Sequence, residues 1–257
     1  MATHASSKAA IRQAVWDRLQ GEGLARFPFP PHGRIPNFQG AREAALRLFE
    51  IEPWASAKRL KVNPDAPQRY VREEALRRGI TLYVPTPRLR AGFHRLDPAK
   101  IPLAKFAEAA SLSRGRKWAQ PVALQALPHM DAIVCGSVAV TRSGRRCGKG
   151  EGYSDLEFGM LRELGHPAVP VATTVHDVQI VGALPLEATD LPLSIIVTPT
   201  RVLRVKSPPP TPIGIVWNRL SEEDLSTMPV LAELKRLRQG GRGRRTHNKT
   251  RVSRKKG

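Results

Sequence analysis

Apolar residues recur at helical spacing in SKAAIRQAVWDRL (7–19), where Ile11, Val15 and Leu19 fall on one stripe with Trp16 beside them. This pattern predicts an amphipathic helix that Ser6 or Ser7 can cap. Lys8 and Arg12 are four apart and share another face, whose plainest role is a solvated basic surface. A second helix is predicted over 39–49, and a third in VREEALRRG, where Gly79 stops it. AKRLKVNPD reads as a short strand ending in a turn at Asn63-Pro64-Asp65, and ITLYVP as a strand closed by Pro85. MDAIVCGSVAV (130–140) is the most apolar strand, and its nearly unbroken run predicts a central position covered on both faces. LEFGMLREL then reads as a helix ended by Gly165, followed by β segments in AVPVATT, VQIVGALP and SIIVTPTRVLRV. Strands alternating with helices predict an α/β fold, a mostly parallel twisted sheet with helices on both faces.

Two stretches break the pattern. Residues 21–37, with FPFPPHGRIP, predict an irregular arm. PTPRLRAGFHRLDP (85–98) carries three prolines and four basic residues counting His94, and predicts no regular element. A basic loop at the end of a strand suits an anion, because ligands of open α/β sheets lie beyond the carboxyl ends of strands; a merely positive surface loop fits as well. SPPPTP (207–212) reads as a stiff linker before two short helices at about 221–226 and 230–238. Residues 239–257 hold eight Lys or Arg and no acid, which predicts a disordered tail. The expected units are therefore 1–206, 207–238 and 239–257.

Charge narrows the partners. The 257 residues include 42 Lys and Arg against 22 Asp and Glu, a net charge of +20, and the tail accounts for less than half of it. Such an excess favours a polyanion: a nucleotide, a nucleic acid or a multiply acidic small molecule. The two cysteines, Cys135 and Cys147, suggest no disulfide framework, and the N-terminal region shows no secretory pattern or apolar run long enough to span a membrane. A cytoplasmic monomer is expected.

The chemistry concentrates in GRRCGKGEGYSDLEF (144–158), between a strand and a helix. Gly148, Gly150 and Gly152 let the backbone approach a ligand closely. Free amides at the start of the next helix favour an anion there, and Arg145, Arg146 and Lys149 add charge. A phosphate is the natural guest. Asp155 would repel a bare phosphate but could hold a bridging divalent cation, or could simply cap the helix. The G-x-G-x-G spacing matches neither a Walker loop nor the dinucleotide fingerprint.

Arg146-Cys147-Gly148-Lys149-Gly150-Glu151-Gly152-Tyr153-Ser154-Asp155 resembles the R-x-G-x-G-x-G-Y-Y-D signature of the 5-formyltetrahydrofolate cyclo-ligase family. Lys8-Ala9-Ala10-Ile11-Arg12 resembles the family's opening K-x-x-[IL]-R, and LPLEATDLPLSIIVT its L-P-x-E-x-x-D motif with Asp190 as the acid. The likeness spans about residues 8–206. KVNPDAPQRYVREEALRRGITLYVPTPRLRAG and IVWNRLSEEDLSTMPVLAELKRLR are similar to a divergent branch of methenyltetrahydrofolate-synthetase-domain proteins, some of which carry an RNA-recognition domain. The resemblance implies a fold shared with ribose-phosphate isomerase and coenzyme A transferases. It also implies a reaction in which ATP with Mg²⁺ phosphorylates the formyl oxygen of 5-formyltetrahydrofolate, N10 attacks, and phosphate leaves as 5,10-methenyltetrahydrofolate forms. By the same resemblance, Lys8 and Arg12 contact ATP phosphates, and Arg146, Gly148, Lys149, Gly150 and Gly152 cradle the nucleotide. Asp155 and Asp190 hold Mg²⁺, while Tyr153 and Glu151 face the reduced folate. No covalent nucleophile is implied, and Cys135 reads as a small buried hydrophobe.

The chain departs from that pattern in places. Ser154 replaces a second tyrosine, Glu151 sets an acid among the glycines, and Val140 stands where the family often has an acid. The family's folate-pocket acid has no plain counterpart, although Asp65 and Gln68 lie nearby. The expectation is an ATP-dependent cyclo-ligase. The alternative is a degenerate relative that binds RNA through its basic loop and tail.

Overall fold

The computed structural model describes residues 7–238. Along the chain run α1 (Lys8–Gly21), β1 (Ala25–Arg26), β2 (Asn37–Phe38), α2 (Ala41–Leu48), β3 (Arg59–Val62), α3 (Gln68–Arg77), β4 (Thr81–Pro85), β5 (Phe93–Leu96), α4 (Phe106–Ala109) and β6 (Gln120–Val122). They are followed by β7 (Ala132–Cys135), β8 (Ala139–Val140), β9 (Arg146–Cys147), α5 (Tyr153–Glu163), β10 (Val171–Thr174), β11 (Ile195–Val197), β12 (Val202–Arg204) and α6 (Glu222–Thr227). A last helix covers 229–238.

Eight strands form one sheet in the order β12-β11-β10-β7-β3-β4-β5-β6. The five central strands, β11, β10, β7, β3 and β4, run parallel. β12 on one edge and β5 on the other run against them, and β6 pairs antiparallel with β5. The period-two alternation of strand side chains sorts them into two cores. Leu60, Val62, Leu82, Val84, Ala132 and Val134 meet α1, α2 and α3 through Val15, Leu19, Ala44, Leu48, Val71 and Leu76. Tyr83, Ile133, Cys135, Val171 and Ile196 meet α5 through Phe158 and Leu161. The helix at 229–238 completes this second layer with Val230, Leu231 and Leu234. The expected α/β architecture with both faces covered is what forms.

Local departures from the predicted elements have identifiable causes. The 85–98 stretch is not wholly irregular, because Phe93–Leu96 pairs antiparallel with β4. Its prolines fall at the strand end, in the turn and beyond the strand, and Thr86 N donates to Gly92 O (2.8 Å) to close the hairpin. Phe93 and Leu96 are buried, so the pairing follows burial rather than charge. MDAIVCGSVAV is not one strand: it leaves the sheet after Cys135, and Ala139–Val140 pairs instead with Arg146–Cys147. The break is held by the buried Gln179 amide, which donates to Ser137 O (3.0 Å) and Val138 O (3.1 Å). VQIVGALP accordingly gives a short 3-10 turn at Asp177–Gln179 and a single bridge from Ile180 to Val140. SIIVTPTRVLRV folds back on itself, with Thr198 in the turn between β11 and β12. The irregular arm contains one small ladder, β1 against β2. The proposed basic tail at 239–257 lies outside the described residues. Among the described residues no helix is long and apolar enough to cross a membrane.

Candidate functional site

The carboxyl ends of β3 and β4 and the glycine-rich loop enclose a cavity of about 650 Å³. Asn63, Pro64 and Asp65 follow β3, Thr86 and Arg88 follow β4, and Gly148, Lys149 and Glu151–Asp155 close the third side. The arm contributes Phe27 and Arg34, and α3 contributes Arg69 and Tyr70. This is where ligands of open α/β sheets bind.

The loop reaches the cavity because its backbone takes conformations that glycine allows. Gly150 (φ 118°) and Gly152 (φ 69°) lie in the left-handed half of the map, and Gly152 occupies the N-cap of α5 with no side-chain cap. Asp155 is therefore not the cap. It sits in the first turn of α5, where its Oδ1 accepts from Arg146 Nη1 (2.8 Å) and from Leu191 N (2.8 Å). Arg146 is buried, and Nη2 also donates to Gly136 O (3.2 Å). Burial works against the Arg146 charge, but the nearby Asp155 carboxylate outweighs it and raises the guanidinium above its ordinary value.

Lys8 and Asp190 meet across the molecule. Lys8 Nζ lies 2.7 Å from Asp190 Oδ1 and 2.8 Å from Oδ2, and 2.8 Å from Glu187 Oε1. Burial opposes the Lys8 charge, but hydrogen bonds to Asp190 and Glu187 raise its pKa overall. Glu187 N donates to Asp190 Oδ2 (2.8 Å), closing a turn that presents the acid. Since Asp155 holds the amide of Leu191, the residue after Asp190, both acids belong to one cluster. Arg12 lies on the same flank, its Nη2 3.5 Å from where a Cβ on Gly150 would sit.

The predicted residues thus fall into two groups around one loop. Gly148, Lys149, Glu151, Gly152, Tyr153 and Asp155 line the cavity. Lys8, Arg12, Arg146, Gly150 and Asp190 form a charged cluster outside its lining, joined to it through Asp155. Lys149 Nζ lies 2.7 Å from Glu151 Oε2, so the acid among the glycines is balanced locally.

Each acid of the expected metal pair already carries a cation, and among the described residues no cluster of three or more His, Cys, Asp or Glu could hold a metal. The donor set does not suit a free metal ion. It does suit a hydrated Mg²⁺ delivered with phosphates, which needs only one or two carboxylates from protein.

Several residues at the cavity carried in the sequence only a turn signal or, for Asp65 and Gln68, a place near the expected folate pocket. Asp65 is half-buried, and burial pushes its carboxyl up against the pull of Arg72, Lys149 and Lys61. Its Oδ2 and Gln68 Oε1 approach to 2.6 and 3.0 Å of the point where a Cβ on Gly136 would stand. Gln68 is fully buried; its Nε2 donates to Thr174 Oγ1 (3.1 Å) while Oε1 has no partner. Behind the floor, the buried pair Lys61–Glu157 ties β3 to α5, and Lys61 Nζ also donates to Asn63 Oδ1 (2.6 Å). Asn63 Nδ2 in turn donates to Ser154 Oγ (2.8 Å). Ser154, lacking a ring, therefore fastens the loop to β3. Arg72 donates to the carbonyls of Asn63, Asp65 and Ala110, and desolvation lowers it to about 10. The rule that strand ends carry sites, applied to Val62-Asn63-Pro64-Asp65, is the signal that could have found this group.

The model of the 5-formyltetrahydrofolate cyclo-ligase family matches residues 5–199. The chain is 43% identical over 244 residues to a mouse methenyltetrahydrofolate synthase domain-containing protein, covering 92% of this chain and 65% of that protein. It is 38% identical to the human protein of that name, covering 92% of this chain and 63% of the relative. It thus spans less than two thirds of the length of these curated relatives. A 76-residue stretch, 30% of this chain and 40% of the relative, is 34% identical to 5-formyltetrahydrofolate cyclo-ligase of Escherichia coli. Among solved structures, the 5,10-methenyltetrahydrofolate synthetase of Aquifex aeolicus matches with a TM-score of 0.50 at 18% identity, covering 78% of this chain and 93% of that one, a likeness of fold.

Proposed function

Because the chain belongs to the 5-formyltetrahydrofolate cyclo-ligase family, we propose that it converts 5-formyltetrahydrofolate to 5,10-methenyltetrahydrofolate at the expense of ATP. The observation that carries this reading is the meeting of Lys8 with Asp190, and of Asp155 with the amide of Leu191, on the flank of a glycine-rich loop whose other flank lines a ligand-sized cavity. Three separated motifs converge on one boundary between a charged cluster and a cavity. Phosphoryl transfer to the formyl oxygen needs such a boundary, because it depends on alignment and charge more than on covalent catalysis.

In this reading the triphosphate lies along the Lys8–Arg12 face of α1 and the bare backbone at Gly148, Gly150 and Gly152. Phosphate oxygens draw Lys8 from Asp190, and Asp190 and Asp155 would hold the Mg²⁺ that accompanies the nucleotide. Mg²⁺ would supply charge neutralisation on the transferring phosphoryl group. Arg146 keeps Asp155 aimed through its hydrogen bond to Oδ1. The reduced folate occupies the cavity beside Tyr153, with Asp65 as acceptor for its donor-bearing ring edge. Once the formyl oxygen carries phosphate, N10 attacks the formyl carbon and closes the five-membered ring, the C–O bond to phosphate breaks, and the N10 proton leaves with the departing phosphate. The buried, protonated Cys135 and Cys147 take no part; burial raises both.

The test is direct. Protein mixed with 5-formyltetrahydrofolate, ATP and Mg²⁺ gains the absorbance of the methenyl product. Absence of that band, with both ligands shown to bind, contradicts the reading. A second reading, nucleic-acid binding, is favoured by the net charge of +20. It predicts RNA affinity that falls steeply with salt and leaves formyl substrate untouched.

A further inference from the structure

Residues 213–238 lie beyond the stretch that matches the family model, and they form a strap that joins the elements behind two walls of the cavity. The first anchor is on α5, whose N-terminal half lines the cavity with Tyr153, Ser154, Asp155 and Glu157. Further along this helix, Gly159 leaves room for the strap's backbone: a Cβ there would lie 3.1 Å from Gly214 O and from Ile215 Cγ1. Gly214 in turn admits the Glu163 carboxylate, since a Cβ on it would lie 2.8 Å from Oε1. That oxygen accepts from Ile215 N (3.3 Å) and Trp217 Nε1 (3.1 Å), and Oε2 lies 3.5 Å from Arg238 Nε. The single carboxylate of Glu163 at the end of α5 therefore holds the strap near its start and at its end.

The second anchor is under the turn between β4 and β5, whose Thr86, Pro87 and Arg88 line the cavity. Arg88 and Leu89 have φ of 54° and 53°, the only non-glycine residues with positive φ among those described. A residue with a Cβ is disfavoured there and persists only where its surroundings leave no alternative. Leu89 is fully buried, in one cluster with Met228, Val230, Leu231 and Leu234 of the strap. Val230 Cγ2 would lie 3.3 Å from a Cβ on Gly92, so the strap also packs closely against the returning side of the turn. Three bonds close the turn: Leu89 N donates to Thr86 O (2.9 Å), Ala91 N to Thr86 Oγ1 (3.0 Å) and Thr86 N to Gly92 O (2.8 Å). The burial of Leu89 is what offsets the cost of the left-handed pair.

We infer that this strap is a positioning element of the substrate site: by burying Leu89 it holds Thr86–Arg88 in place as a wall of the cavity, and through Glu163 it fixes that wall against the helix that carries the glycine-rich loop. This rests on the proposed cyclo-ligase reading, which puts the reduced folate in the cavity and the triphosphate on the charged cluster at its flank. The two ligands should therefore depend on the strap unequally. Helix α5 keeps its own hold on the sheet through Phe158, Met160 and Leu161, so the glycine-rich loop does not rely on the strap. The strap's ion pair with the charged cluster, Arg219 Nη1 to Glu187 Oε2, is 3.8 Å long and exposed, and such pairs contribute little. The wall at Thr86–Arg88, built on two left-handed residues, is the part that loosens when the strap does.

The experiment measures equilibrium binding of 5-formyltetrahydrofolate and, separately, of ATP with Mg²⁺ to the wild type, Leu231→Ala, Glu163→Ala and Glu163→Gln, each well below its melting temperature. Leu231→Ala opens space in the cluster that holds Leu89 and should weaken folate binding ~5-fold or more, with ATP binding changed by less than about twofold. Glu163→Ala should weaken folate binding ~3-fold or more, while Glu163→Gln, which keeps an acceptor for Ile215 N and Trp217 Nε1, should stay within about twofold of the wild type. Arg88→Gly makes the turn less dependent on outside support, so Leu231→Ala added to it should weaken folate binding at most ~2-fold further. Unaltered folate affinity in either alanine variant, equal loss of both ligands, or the same Leu231→Ala effect with and without Arg88→Gly would overturn the inference and leave the cyclo-ligase reading standing. Binding of neither ligand to the wild type would sink both. Should Leu231→Ala fail to fold, the Glu163 pair decides, and folate affinity lost alike in the alanine and glutamine variants, or in neither, would overturn the inference.

Discussion

At the scale of single residues, the charged cluster was legible in part. Lys8, Arg12, Asp155 and Asp190 stand out because their motifs are spaced alike in a known family, and Lys8 does meet Asp190. That Asp155 neutralises a buried arginine was not legible, because nothing in the local sequence says Arg146 points inward. Its burial changes what a substitution should do. Asp155→Asn removes the counter-charge of buried Arg146, and such a loss costs about 3–5 kcal/mol. A fall in thermal stability together with lost ATP binding is expected, measured by denaturant unfolding and calorimetry; unaltered stability would mean that solvent neutralises Arg146. Gly136 gives a second case. A methyl group there meets Asp65 Oδ2 at 2.6 Å and Gln68 Oε1 at 3.0 Å. Gly136→Ala should destabilise the fold by about 1–3 kcal/mol through overpacking and displace the two acceptors at the cavity floor. Folate affinity that falls while ATP affinity holds would bear this out.

At the scale of elements, helices and the parallel core could be read from periodicity, and the errors came where side chains from distant segments set the ends of strands. The run 130–140 looked continuous because every residue after Asp131 is apolar or small. Only the Gln179 amide, forty residues on, shows where it leaves the sheet. The strand β5 was hidden by its prolines, of which Pro85 ends β4 opposite Phe93 while Pro87 and Pro98 lie outside the pairing. The joint between β3 and α5 tests element packing directly. Lys61 lies on the α5 face of β3 because it alternates with Leu60 and Val62, and burial raises Glu157 while Lys61 opposes that shift. Lys61→Met alone leaves Glu157 buried without its partner and should cost about 3–5 kcal/mol, whereas Lys61→Met with Glu157→Leu should recover much of the loss. Chemical denaturation of the three proteins gives the comparison, and additive losses in the double variant would contradict the pairing.

At the scale of the whole molecule, the two cores and the covered sheet explain a stability that depends on pH. Burial lowers the pKa of His94, His166 and His176 from the ordinary value of 6.5, and at His166 the neighbouring His129 adds to the effect. The unfolded chain therefore takes protons more readily, so stability is full above pH ~6.5 and is lost as pH falls through the lowered folded values. His176 adds a mechanical reason, because its Nδ1 accepts from Val178 N (3.3 Å) to cap the turn at Asp177–Gln179, and protonation removes that acceptor. Tm should fall between pH 7.5 and 5.5, and His176→Asn, which keeps an acceptor without titrating, should flatten part of the fall. Charge was the most visible whole-molecule property in the sequence, yet its placement was not: four arginines lining one cavity, Arg34, Arg69, Arg88 and Arg114, come from segments that no local pattern connects. The proposed cyclisation requires that the charged cluster and the cavity work as one site. The measurement that tests this most directly is the count of ADP released against methenyl product formed in a single reaction, with and without 5-formyltetrahydrofolate. One ADP for each ring closed, and none without the folate, is the predicted result; ADP released independently of the folate, or no ring closure with both substrates bound, would contradict it.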